Sequence, residues 1–63
     1  MLDQREKVTF IRTDWDDGHS FFKDKNGAEL RYNGQFKNVK DGEEALARIG
    51  LYNNIESVQF LNI

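Results

Sequence analysis

Asp14, Asp16, Asp17 and His19 crowd the first turn of this chain, and they are residue types that hold divalent cations. A calcium loop needs acidic donors at fixed positions around a central glycine. With Gly18 in that place, Thr13 and Trp15 stand where the first two acids belong. Asp17 and Asp24 fit later positions, but the loop fails at its start. The cluster therefore reads as solvated turn formers, with Asp14, Asp16 and Asp17 offering a secondary acidic surface to a basic partner. A lone histidine and the absence of cysteine exclude the usual zinc sites. No metal and no cofactor is expected.

Catalytic arrangements fare no better. Ser20 follows His19 directly, and adjacent strand residues point to opposite faces, so they are poorly placed as a nucleophile and its base. The glycines are isolated and none lies in a dinucleotide-binding or P-loop spacing. A chain of 63 residues has little room for a cleft in which carboxylates could work as acid and base. The sequence reads as a non-enzyme.

The constellation that suits binding is Phe22, Arg31 and Phe36, with Ile11 beside it. An arginine between two rings on an open sheet face can anchor a protein partner or stack bases. This row depends on register. Asp17-Gly18, Asn26-Gly27 and Asn33-Gly34 are the pairs that favour two-residue hairpin turns. On that basis Phe22 pairs with Arg31, Phe36 lies opposite Arg31, and Phe21 joins Val8, Phe10, Ala28, Leu30 and Tyr32 on the core face.

The elements that would position these residues follow from pattern. Lys7 to Asp14 is rich in β-branched and aromatic residues and predicts a strand, as do His19 to Lys25, Ala28 to Tyr32 and Gln35 to Val39. The last of these could equally be a loop. Asp41 as N-cap, Glu44 three residues on, and Ala45, Leu46 and Ile49 at helical spacing predict a helix that Gly50 ends. Ile55 to Ile63 predicts a final strand, required for folding. The expected fold class is α+β: a mainly antiparallel sheet of four to five strands with one helix packed on one face. Residues 1–63 form one domain, with 1–6 frayed.

The formal charge of −2 gives no general attraction to nucleic acid or to anionic membrane. Basic residues concentrate in the middle of the chain, where Lys23, Lys25, Arg31, Lys37 and Lys40 face only Asp24 and Glu29. No apolar stretch approaches a membrane span, and the expected setting is cytoplasmic.

The stretch Asp17–Ile49 is similar, through Gly34, Phe36, Glu44 and Ala45, to the three-strand-plus-helix DNA-binding domains of tyrosine-recombinase arm regions and plant AP2 factors. The resemblance covers about half the chain and implies a DNA-binding sheet. Those families are basic and this chain is not, so the family assignment is not adopted.

The expected function is that of a non-catalytic protein-binding module, such as an inhibitor or regulator of a larger protein. A phage- or mobile-element-encoded (viral) inhibitor is one example. Ile11, Phe22, Arg31 and Phe36 are its expected contact residues. A nucleic-acid-binding domain using the same row and the surrounding lysines is the alternative, and self-association as a homodimer the third.

Overall fold

The computed structural model describes residues 5–61. Five strands carry the chain: β1 (Arg5–Asp14), β2 (His19–Lys23), β3 (Glu29–Tyr32), β4 (Glu44–Ile49) and β5 (Asn54–Phe60). The three hairpin-linked strands β1–β2–β3 lie side by side, and β4 returns to pair with β1. This is the Greek-key arrangement. β5 then closes the gap, antiparallel to β4 and parallel to β3, giving a closed barrel in the order β1-β2-β3-β5-β4.

The expected α+β class is thereby corrected. Among the described residues the one helical element is a 3₁₀ turn, Leu51–Asn53, and none is long and apolar enough to cross a membrane. The segment expected to be a helix is β4. Its Glu, Ala, Leu and Arg favour helix intrinsically, but strand pairing on both sides overrides that preference. Val8 and Phe60 both pair with Ala45. Ala45 and Ala47 are fully buried while Glu44 and Arg48 are exposed, a period-two pattern. The residues of the expected N-terminal cap form a turn instead, in which Glu43 Oε2 accepts from the Lys40 backbone N–H at 3.0 Å. The resemblance to three-strand-plus-helix DNA-binding domains fails with the helix it needs.

Register is corrected as well. Asp24 and Ala28 close a three-residue loop, with Asp24 N–H donating to Ala28 O at 3.0 Å and Gly27 N–H to Asp24 O at 3.0 Å. Gly27 has φ +86°, the left-handed conformation with which such loops end. The Asp24 carboxylate also accepts from the backbone N–H groups of Asn26 and Ala28. One residue more than a two-residue turn pairs Phe22 with Leu30 and Phe21 with Arg31. A bulge between Phe10 and Arg12 shifts β1 likewise, so Phe10 pairs with Phe22. A one-residue slip exchanges the faces of a strand, and both irregularities turn Phe22 inward.

The expected fourth strand, Gln35–Val39, is an irregular connection whose Phe36 and Val39 pack against the core. It is tied down by Ser20, which is fully buried and donates to Gly34 O at 2.7 Å. Val8, Phe10, Phe22, Leu30, Ala45, Ala47 and Ile55 form the core. Phe10, Phe22, Phe36 and Phe60 meet inside it, with Phe36 and Phe60 centroids 5.0 Å apart, edge to face. Such pairs contribute roughly 0.5–1.5 kcal/mol beyond area burial.

Candidate functional site

Alternation along β1, β2 and β3 leaves an outer face as well as a core. Cross-strand pairs Arg12 with Phe21, Phe21 with Arg31, and Arg31 with Asn54 of β5. These residues form one row across four strands. Arg12 stacks its guanidinium 4.4 Å from the centroid of the half-buried Phe21 ring, a cation–π contact. Arg12 Nη1 also lies 3.9 Å from Asp14 Oδ2. Arg31 is exposed and has no side-chain hydrogen bond or ion pair among the described residues.

Two hollows flank Arg31. One, of about 310 Å³, is bordered by His19, Asn33 and Asn54 with Ile55 beneath. The other, of about 250 Å³, lies between Phe21, Glu29, Tyr52 and Asn53. Tyr52 belongs to the loop between β4 and β5 and is 91% exposed. Its backbone is left-handed (φ 58°, ψ 34°), and Asn53 follows at φ 59°. For a bulky residue that conformation costs roughly 1–2 kcal/mol. A glycine there would relieve the strain. Trp15, in the β1–β2 loop, is 55% exposed.

The expected contact row is therefore dispersed. Phe22 is fully buried, so its ring is not available to a partner in this fold. Phe36 packs against Phe10, Phe22, Tyr32 and Phe60. Ile11 sits half-buried at the bulge. Arg31 stays on the outer face, with Phe21 rather than Phe22 beside it. In the acidic turn, Asp14 Oδ1 accepts from the backbone N–H groups of Asp16 and Asp17 at 3.1 and 3.3 Å. It acts as a local turn cap, while Asp16 and Asp17 are exposed. Among the described residues no three His, Asp or Glu side chains gather to hold a metal ion.

Sequence reasoning missed Arg12, Phe21 and Tyr52. The adjacency of Phe21 and Phe22 showed that one ring faces outward, and the register of β2 against both neighbours decided which. Tyr52 had a fainter signal, an aromatic residue between Gly50 and the Asn53-Asn54 pair. No protein family, curated protein or solved structure matches this chain, and the reading of the face rests on its own residues.

Proposed function

We propose that this protein is a non-catalytic binding module that docks a larger protein on the outer face of β2 and β3. The observation that carries the reading is Arg31, exposed and without a side-chain partner among the described residues, between Phe21 and the strained, outward Tyr52. Arginine and large aromatic residues dominate the energetics of protein interfaces. A stability-driven sequence has no reason to hold a tyrosine ring in solvent on a left-handed backbone; a recognition surface does. A cytoplasmic setting is part of the same proposal.

A second reading has a specific observation in its favour. Five-stranded Greek-key barrels of the OB type bind oligonucleotides and oligosaccharides on the β2–β3 face and on the β1–β2 and β4–β5 loops. Phe21, Arg31, Trp15 and Tyr52 occupy those places here. This is an analogy of fold, and folds host many functions. Asp14, Asp16, Asp17 and Glu29 border the face and oppose a polyanion.

The test is affinity capture on the immobilised protein, with nuclease treatment and at two salt concentrations. The protein-binding reading expects a defined protein that survives both and is lost with Phe21→Asp and Tyr52→Asp, variants that still unfold cooperatively. Capture of nucleic acid that falls steeply with salt would instead support the second reading. A bound protein indifferent to both substitutions would remove this face from consideration.

A further inference from the structure

Resting on the protein-binding reading, we propose that the hollow beside Arg31 receives a single carboxylate of a partner polypeptide, with an adjoining apolar or aromatic side chain of that partner lying over Phe21 and Tyr52. Four polar side chains border the hollow: Arg31, His19, Asn33 and Asn54. None makes a side-chain hydrogen bond or ion pair among the described residues. Arg31 contributes a planar fork of donors matched to a carboxylate. Asn33 and Asn54 add amide N–H₂ donors, and His19 a ring N–H. The hollow thus offers donors in excess and no carboxylate of its own. Ile55, only 5% exposed, supplies an apolar base.

Charge around the hollow sets the size of the anion. Asp14, Asp16 and Asp17 lie at the adjacent β1–β2 turn, Glu29 lies two residues before Arg31 on β3, and Glu56 two residues after Asn54 on β5. A nucleic-acid backbone following the row would carry repeated charges past these acids. One carboxylate meets only the local donors. The second hollow, on the other side of Arg31, brings Phe21 and Tyr52 against whatever side chain stands next to that carboxylate. The complementary motif is an acidic residue beside an aromatic or large apolar one.

Amide and side-chain NMR shifts of the isotopically labelled full chain test this, with synthetic hexapeptides as probes. One peptide carries adjacent phenylalanine and glutamate, a second has glutamine for the glutamate, and a third has alanine for the phenylalanine. An oligothymidylate of about eight nucleotides, within the span one such barrel covers, is the fourth probe. The expected result is saturable shifts at Arg31, Asn33, Asn54 and Tyr52 with the phenylalanine–glutamate peptide. Affinity should fall about tenfold or more with the glutamine peptide and with Arg31→Gln, as for loss of a charge-assisted hydrogen-bonded pair. Equal binding of the glutamate and glutamine peptides at this face overturns the carboxylate assignment and leaves the protein-docking reading standing. No shift with any peptide, with saturation by the oligonucleotide at the same residues, overturns both.

Discussion

Phe21 and Phe22 are neighbours in β2 with opposite fates, and the difference is measurable. Phe22 is fully buried against the rings of Phe10, Phe36 and Phe60. Truncating such a side chain costs about 3–5 kcal/mol. A domain of this size has a total stability on the order of 3–9 kcal/mol at roughly 0.05–0.15 kcal/mol per residue. Phe22→Ala is therefore expected to leave the chain largely unfolded. Phe21→Ala loses a half-exposed ring and its contact with Arg12, about 1 kcal/mol. Urea titration of both variants separates them, and the reverse order would show that the strand is registered the other way. The exposed Lys7–Glu44 pair at 3.3 Å is expected to matter little by comparison.

At the scale of elements, β4 is where local preference and tertiary pairing disagree. A helix over this segment would turn Ala45, Leu46 and Ile49 to one side and leave Ala47 facing away. The strand turns Ala47 into the barrel, with no exposed surface. Ala47→Leu distinguishes the two. Overpacking a closed interior costs about 1–3 kcal/mol, whereas an outward helical position would accept leucine with almost no change. Thermal unfolding reads the difference as several degrees in Tm. The small residues of β4 have a packing reason, because alternating large and small side chains fill the interior of a small barrel. Ala45, paired with Phe60 on one side and Val8 on the other, makes room for large neighbours.

For the whole molecule, closure is the decisive property. In the closed barrel each of the five described strands pairs with a neighbour on both sides. Closure depends on β5, which pairs with β4 over most of its length and with β3 only at Arg31–Asn54 and Tyr32–Ile55. Phe60 near its end meets the rings of Phe10, Phe22 and Phe36, and Leu61 N–H donates to Glu44 O at 3.0 Å. A chain ending at Gln59 is expected to lose its cooperative transition. Circular dichroism checks both states: strand without the helical double minimum for the full chain, and coil for the truncated one. A truncated chain that still melts cooperatively would refute the role given to β5. The rest of the required final strand, residues 62–63, lies outside the described residues.

Four of the five strands were legible in the chain, and the architecture that joins them was not. Alternation and β-branched residues marked β1, β2, β3 and β5, and the Asn26-Gly27 pair marked a hairpin, because these signals act between near neighbours. The exposure of Arg31 was legible for the same reason. Two features were not: the register of β2, which one additional loop residue and a bulge shift, and the strand state of β4, which depends on partners distant in sequence. The extra residue in the β2–β3 loop and the bulge in β1 set register, and register decided that Phe22 goes inside and Phe21 outside. The helix-favouring composition of β4 yielded to strand pairing with β1 and β5, whose hydrogen bonds and ring packing outweigh propensities of a few tenths of a kcal/mol per residue. The sequence by itself determined a small, cysteine-free strand former with an arginine beside aromatic rings. Only strand register in the tertiary structure decided which rings those are, since the face of a strand is settled by what lies across from it.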